Sequence, residues 1–387
     1  MVGNENIRFY KEYNIAPVVN IQEEKFFEKR KKLYRQLGIS LLCIEGKDII
    51  EFGASCGENS LPLITGFGDT ERCAHHIDIV EPNEAGRIAV HKLFDENNVP
   101  INQYTLYSDT LESFRPQKKY DIIIAEQFLQ HCTNWKECLH ILRCCARQNS
   151  IIIITCADSI GLYVELMKRF VGRCMVRSFV RFEDKLEKLI ELFADSLNLL
   201  TGMNKTRRTY IADLFFDNFI LNGAQMNIVD AIEFFQEEFD VLGSSQNIFT
   251  DYSWYKDLDY NYIDEYKRQY LQKRHMFLFA GESEETIRSV EDNALLENAI
   301  RKAINYEADC EKNGDKLDID EWEKVTEEVN KGFKSDRLIC FNTEFLEILK
   351  RIHRNEQVEF MDYPVFANSF GKSSQYISFS CKNKRMI

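Results

Sequence analysis

Short apolar runs alternate with amphipathic stretches over the first 157 residues of the chain. Five of these runs are rich in β-branched residues and predict buried strands, at residues 47–52, 76–80, 103–107, 120–125 and 151–155. Apolar residues at helical spacing fill the intervals between them. Strands that alternate with helices form a parallel sheet with helices on both faces. The pattern therefore predicts an α/β fold with a doubly wound, mostly parallel sheet.

After residue 157 the pattern becomes helical. Residues 158–239 have apolar stripes at helical spacing and predict a helical insertion after the fifth strand. Val241–Leu242 and Met276–Ala280 predict the last two strands, a pair at the sheet edge that completes a seven-stranded sheet. Residues 283–387 predict a mainly helical C-terminal extension, with a strand-like piece at Tyr376–Phe379.

The chain is thus predicted to have five parts. They are an N-terminal helical lid segment (1–40), a core (41–157), a helical insertion that forms a substrate lid (158–239), the end of the core sheet (240–282) and the C-terminal extension (283–387). Within the first part, an amphipathic helix at residues 21–37 ends before Gly38.

The turn after the first strand has the strongest chemical signal. Gly53 and Gly57 allow positive φ and a close approach of a ligand to the backbone, and the following helix start offers free N–H groups. A dinucleotide G-x-G-x-x-G fingerprint started at Gly53 would need glycines where Ser55 and Glu58 stand. The pattern acidic-x-G-x-G-x-G fits from Glu51, with Ser55 at the middle glycine. An ordinary strand–turn–helix remains the alternative.

This turn resembles motif I of the class I S-adenosylmethionine (SAM)-dependent methyltransferases. The resemblance covers about residues 25–282 and implies SAM as the cofactor, bound by the core. Glu81 ends the second strand, where motif II places an acid on the ribose hydroxyls; Asp78, inside the strand, is the lesser candidate. Ser108 and Asp109 follow the third strand, where the family places an acid on the adenine amino group. A cap for the next turn is the alternative role.

The resemblance also assigns the remaining site residues. The fourth strand and Glu126 to His131 resemble motif IV, and His131 and Glu126 are the candidate catalytic bases. Tyr10, Tyr13 and Arg35 are candidates for a lid over the cofactor, or simply pack the first helix on the sheet. The implied cofactor-binding residues are Glu51, Gly53, Ala54, Ser55, Gly57, Glu81, Pro82, Ser108, Asp109, Glu126, Gln127, Tyr10 and Tyr13.

Charge and cysteine content narrow the class of protein. A net charge of -13 and a pI near 5.2 disfavour nucleic acid or an anionic membrane as a partner held by bulk charge. The 12 cysteines are scattered, without C-x-x-C, and indicate reduced thiols in a cytoplasmic protein with no bound metal. Residues 311–321 resemble an EF-hand loop that lacks its sixth-position glycine, which argues against calcium. Neither a signal peptide nor an apolar run of membrane-spanning length is expected.

The predicted reaction is methyl transfer from SAM to an oxygen or nitrogen atom of a small molecule. A sugar or nucleotide-sugar is the leading candidate, because aromatic residues that stack on rings cluster before the last predicted strand. They are Tyr252, Trp254, Tyr255, Tyr260, Tyr262, Tyr266 and Tyr270. Packing at a domain interface is the alternative role for this cluster. A non-catalytic SAM-fold subunit, or a methyltransferase acting on protein or RNA, remains open, as does a homo-oligomer formed through the C-terminal extension.

Overall fold

The structure is a computed structural model that describes residues 9, 24–68, 72–129, 132–200, 206–217, 226–281 and 285–382. The chain divides into two compact units. The sheet unit comprises Met1–Ala157, Ala224–Tyr270 and Ser374–Ile387, and the helical unit comprises Asp158–Gly223 and Leu271–Ser373. None of the helices in the described ranges combines the length and apolarity that crossing a bilayer requires.

The sheet unit contains seven strands among its described residues. They are β1 Asp48–Phe52, β2 His76–Val80, β3 Tyr104–Tyr107, β4 Tyr120–Ala125, β5 Ala146–Ala157, β6 Phe239–Ser244 and β7 Ser374–Cys381. Their order in the sheet is β3-β2-β1-β4-β5-β7-β6. Strands β1 to β5 pair in parallel, and β7 is antiparallel to both of its neighbours. The predicted fold class, a mostly parallel seven-stranded α/β sheet, is confirmed.

The helices follow the strands in the alternation that the pattern predicted for the core. In chain order they are α1 Glu24–Gln36, α2 Ser60–Ile64, α3 Glu84–Glu96, α4 Trp135–Cys145, α5 Ser159–Val176, α6 Phe182–Leu192, α7 Ala194–Asn198, α8 Arg207–Phe216, α9 Ile228–Phe235, α10 Tyr262–Lys273, α11 Val290–Lys312, α12 Ile319–Gly332, α13 Asp336–His353 and α14 Pro364–Asn368. Buried isoleucines of β1, β2 and β4, including Ile49, Ile77 and Ile124, form the core of the sheet unit.

The position of the last strand was predicted wrongly. Met276–Ala280 is not a strand: the short 3₁₀ helix Arg274–Phe277 covers its start, in the helical unit. The seventh strand is instead β7, which contains the strand-like piece Tyr376–Phe379 and comes from the predicted C-terminal extension. A short continuous apolar run has no period that separates strand from helix, so Met276–Ala280 was ambiguous. Phe239, predicted as helical, likewise begins β6.

The topology brings the carboxyl ends of six strands to one edge of the sheet. Phe52 pairs with Val80 and with Ala125, and Val80 pairs with Tyr107, so β1 to β4 end level. Since β6 and β5 are both antiparallel to β7, β6 ends at this edge too and β7 begins there. In open α/β sheets the ligand crevice lies at this edge, which we call the carboxyl edge.

The helical unit is held together by buried ion pairs. Arg274 donates from Nε to Asp158 Oδ2 at 2.7 Å and also pairs with Glu297, which receives Arg301 at 2.8 Å. Burial alone would raise the pKa of Glu297, but the hydrogen bond and charge of Arg274, with those of Arg301, lower that pKa to about 2. The carboxylates of this network therefore have their counter-charges within the protein.

A second network uses the acidic residues of the EF-hand-like loop. Arg173 contacts Asp315 at 3.0 Å and Glu311 at 2.9 Å, and it also pairs with the buried Glu307 at 2.6 Å. Arg169 contacts Glu311 at 2.9 Å. Two carboxylates of the loop thus neutralise arginines of helix α5, which gives them a structural role.

Candidate cofactor site

The loop between β1 and α2 is shaped by left-handed backbone at Gly53 (φ 69°), Ser55 (φ 57°) and Gly57 (φ 84°). A Cβ at Gly53 would lie 2.8 Å from the Phe128 ring, and one at Gly86 would lie 2.7 Å from the Ser55 carbonyl oxygen. Only glycine therefore fits at these two contacts without displacement. Positive φ at a serine is uncommon and marks local strain, which is frequent at ligand sites.

Glu81 lies directly against this loop. One of its carboxylate oxygens accepts the Ser55 N–H at 2.8 Å, and the other accepts the Asn83 N–H at 2.8 Å. Burial raises the pKa of Glu81 to about 7, although both backbone hydrogen bonds act in the opposite direction. The carboxylate is thus fixed in one orientation at the end of β2. Asp78 is engaged elsewhere, accepting the Tyr120 hydroxyl at 2.7 Å.

The acidic residue that begins motif I is buried beneath the loop. Glu51 is 1% exposed and accepts the hydroxyl of Ser60, the first residue of α2. Burial, and then the charge of Glu126, raise the pKa of Glu51 to about 8 against the effect of the Ser60 hydrogen bond. The Ser55 hydroxyl is also buried and has no hydrogen-bond partner among the described residues. An unused buried hydroxyl in a strained loop fits a site that a ligand completes.

Glu126, directly after β4, is bound by an arginine that the sequence reasoning missed. Arg30 of α1 donates two hydrogen bonds of 2.9 Å to its carboxylate, and Asn59 donates a third at 3.2 Å. Arg30 also contacts the Tyr34 hydroxyl at 3.1 Å. The predicted lid residue Arg35 is exposed. The signal for Arg30 was its place on the apolar face of α1, one turn before the buried Tyr34.

Tyr376 of β7 is the second residue that was missed. Gln127 donates from Nε2 to the Tyr376 hydroxyl at 2.8 Å, and Gln127 itself has a φ of 65°. Burial and the charge of Glu126 raise the pKa of Tyr376 to about 12. Because the last strand was assigned to another segment, no sequence signal placed this tyrosine at the carboxyl edge.

The other predicted residues are less tightly held or lie outside the described ranges. Ser108 is exposed and Asp109 is half-buried after β3. The turn there is closed by Thr110 and Ser113: the Thr110 N–H donates to the Ser113 hydroxyl at 2.9 Å, and the Ser113 N–H donates to the Thr110 hydroxyl at 3.3 Å. The capping role considered for Ser108 and Asp109 is thus filled by other residues. Ala54 is buried and Pro82 is half-buried beside the loop. Tyr10, Tyr13 and His131 lie outside the described residues, and their roles stay predictions.

The charges at this edge do not balance. Glu51, Glu81 and Glu126 are all buried, and Arg30 is the buried cation that the described residues place against them. Buried carboxylates normally have a counter-charge or hydrogen-bond donors. The arrangement therefore suits a ligand that brings hydroxyl groups and positive charge.

Comparison with known proteins returns structures of methyltransferases. PKMT2 from Rickettsia typhi in complex with AdoHcy is 13% identical over 62% of this chain and 49% of that one, with a TM-score of 0.39. Coclaurine N-methyltransferase bound to N-methylheliamine and SAH is 8% identical over 92% and 70%, with a TM-score of 0.36. An S-adenosylmethionine-dependent methyltransferase from Clostridium acetobutylicum ATCC 824 is 10% identical over 41% and 59%, with a TM-score of 0.28.

No protein-family profile matches the sequence, and no curated protein matches it with significance. The chain spans about half the length of the Rickettsia and Clostridium proteins. At these identities and TM-scores, no activity is carried over from those proteins to this chain. With its seven-stranded sheet and antiparallel β7, the sheet unit has the class I methyltransferase fold.

Proposed function

We propose that the chain is a SAM-dependent methyltransferase acting on an oxygen or nitrogen atom of a small molecule. The observation that supports this most directly is the contact between the Glu81 carboxylate and the Ser55 N–H, which joins the acid after β2 to the loop after β1. An acid at the end of the second strand accepts ribose hydroxyls in Rossmann-type sites. Its position beside a positive-φ loop at the carboxyl edge fits a bound nucleoside.

The charge imbalance favours SAM over an uncharged or anionic nucleotide. SAM would supply an electrophilic methyl group on a positively charged sulfonium, together with an ammonium group. Glu51 and Glu81 have raised pKa values because they are buried without a full set of counter-charges. A cation at the carboxyl edge stabilises their ionised forms. A phosphate-bearing nucleotide would add negative charge to the same place.

The chain's role in the transfer is mainly to position and to accept a proton. Bound SAM would supply the methyl group, and residues that hold the acceptor atom in line with it would contribute most of the rate. The acceptor proton must leave to a base, and His131 is our candidate. Both oxygens of Glu126 are engaged by Arg30 and Asn59, which fits Glu126 as a positioning group.

The aromatic segment after β6 supports a ring-bearing substrate. Because β6 ends at the carboxyl edge, residues 245–261 leave the sheet there. Tyr252, Trp254 and Tyr255 are 94%, 56% and 70% exposed, so their rings are open to solvent, whereas Tyr266 and Tyr270 of the same predicted cluster are buried. The Lys256 ammonium lies 4.4 Å from the centre of the Trp254 ring. Exposed rings of this kind stack on sugars, and we propose a sugar or nucleotide-sugar as the acceptor.

Calorimetry with SAM and S-adenosylhomocysteine tests the cofactor assignment. Wild type is expected to bind one ligand per chain, and Glu81→Ala should weaken binding by about 1.5–3 kcal/mol, the usual loss for hydrogen bonds to a charged group. Glu84→Ala is the matched control, since Glu84 is exposed in the first turn of α3. Absence of binding to wild type, or equal losses in the two variants, would refute the assignment.

The substrate class is tested with labelled SAM and a panel of small-molecule acceptors. Trp254→Ala and Tyr255→Ala should raise KM for the acceptor and leave SAM affinity unchanged, because these rings are proposed to contact only the acceptor. Leu258→Ala is the control within the same segment, being 52% exposed and aliphatic. Transfer to a protein or RNA in place of any small molecule would overturn the proposed acceptor class.

A further inference from the structure

Two cysteines and a glutamate that are far apart in the sequence meet in the sheet unit. The side-chain ligand atoms of Glu112, Cys132 and Cys138 all lie within 4.8 Å of one another. Both cysteines are buried, and Glu112 is half-buried. None of the three takes part in the contacts described above for the cofactor site. No sequence pattern indicates this cluster, because a C-x₅-C spacing matches no zinc pattern by itself.

The three residues come from three separate segments, each held in place. Glu112 lies in the turn after β3, next to the buried Leu111, and its own main-chain carbonyl accepts a hydrogen bond from the Arg115 guanidinium at 2.8 Å. Cys132 follows β4, and its N–H donates to the Leu129 carbonyl at 3.0 Å. Cys138 lies in the first half of α4 and is fully buried. The cluster is therefore formed by the fold rather than by adjacent residues.

The donor set is one that zinc prefers. Zinc binds thiolates at about 2.3 Å and carboxylates at about 2.0–2.2 Å in a tetrahedron, so neighbouring ligand atoms lie about 3.5–4 Å apart. Ligand atoms within 4.8 Å of one another reach that spacing with small side-chain rotations. Calcium and magnesium prefer oxygen ligands and are disfavoured by the two sulfur atoms.

We propose that Glu112, Cys132 and Cys138 bind a zinc ion, with water as the fourth ligand. Each bound thiol releases its proton to solvent, and no oxidation is involved. The ion would tie the turn after β3 to the segment after β4. That segment carries Phe128, whose ring lies against Gly53, and the turn follows Asp109. The ion would thus stabilise two walls of the carboxyl edge without contacting the cofactor.

Metal analysis of the full chain tests this site without any reference to activity. The protein, reduced and freed of metal, is titrated with zinc against a chromophoric chelator, and one zinc per chain is expected. Cys132→Ser, Cys138→Ser and the double variant should each weaken zinc binding by more than about 100-fold. Loss of a group that only hydrogen-bonds a metal ligand costs about 10–100-fold, so a larger loss indicates direct coordination. Cys144→Ser is the matched control, because Cys144 lies on the same helix α4 outside the cluster.

Two further measurements guard against variants that merely fold poorly. Cobalt added to the metal-free wild type should give sulfur-to-cobalt charge-transfer absorption, which the double cysteine variant lacks. Zinc should raise the thermal midpoint of wild type and not that of the double variant, since a ligand stabilises only a fold that binds it. Wild type without zinc binding, zinc retained by the double variant, or a Cys132–Cys138 disulfide that reforms after reduction and blocks zinc would each overturn the proposal.

Discussion

Two buried carboxylate sites, one in each unit of the chain, differ in how far their charge is compensated. In the helical unit, Arg274 and Arg301 surround Glu297 and lower its pKa to about 2 despite burial. In the sheet unit, burial leaves Glu51 with a pKa of about 8 and Glu81 with a pKa of about 7. The first arrangement is complete within the protein, whereas in the second the charges of Arg30 and Arg87 offset only part of the effect of burial.

The difference indicates which cluster is structural and which is functional. A buried carboxylate with its own arginine contributes to the fold only as long as the pair is intact. A buried carboxylate without enough counter-charge costs stability, and such costs concentrate at sites where a ligand or substrate compensates them. We therefore interpret the carboxyl edge as the functional site and the network of Arg274, Arg301 and Glu297 as scaffold.

Breaking the network of Arg274, Asp158 and Glu297 should have the largest effect on the free energy of unfolding. Arg274→Ala leaves Asp158 and part of Glu297 buried without their partner, and we expect a loss of about 3–5 kcal/mol in the free energy of unfolding, measured with urea. Arg301→Ala is the control, because Arg301 pairs with the same Glu297 from a side chain that is 39% exposed. It should cost within about 1 kcal/mol. Similar losses in the two variants would contradict the assignment of Arg274 as the central cation.

Replacing the ionisable side chain of Glu51 should instead stabilise the protein relative to wild type as the pH rises. Between the usual pKa of 4.5 and the folded value of about 8, folded Glu51 holds a proton that the unfolded chain has released. The wild type therefore loses stability as the pH rises through this window, and Glu51→Gln removes that loss. From pH 6 to pH 8 the variant should gain about 1–2 kcal/mol relative to wild type, at about 1.4 kcal/mol for each pKa unit.

Urea unfolding at the two pH values measures this gain. Glu58→Gln serves as a control at a half-buried neighbouring position of the same loop. A stability difference between Glu51→Gln and wild type that stays constant or shrinks with rising pH would show that Glu51 is ionised and compensated in the folded protein.

The parts of the site that the sequence predicted are those fixed by local rules. Glu51, Gly53 and Glu81 were recognised because each lies at or next to the end of a predicted strand. A parallel sheet places successive strand ends at one edge, so these residues were expected to lie together. The five strands of the core were found for the same reason.

The missed residues depend on contacts between distant segments. Arg30 meets Glu126 across 96 positions, and Tyr376 meets Gln127 across 249. No period or motif links such pairs. The strand-like piece Tyr376–Phe379 was recognised but not assigned to the sheet, because its alternation of Ile377 and Phe379 is short and the continuous apolar run at Met276–Ala280 was the stronger apparent strand. The Glu112–Cys132–Cys138 cluster is likewise visible only after folding.

We infer that the carboxyl edge binds a positively charged nucleoside through buried carboxylates that have too little counter-charge in the free protein. Calorimetry of SAM binding at pH 7, in buffers that differ in ionisation enthalpy, tests this central inference most directly. Because Glu51 and Glu81 are largely or partly protonated before binding, the account predicts stoichiometric binding with release of roughly one proton per SAM. The release should fall in Glu51→Gln. Binding without proton release, or no binding, would contradict the account.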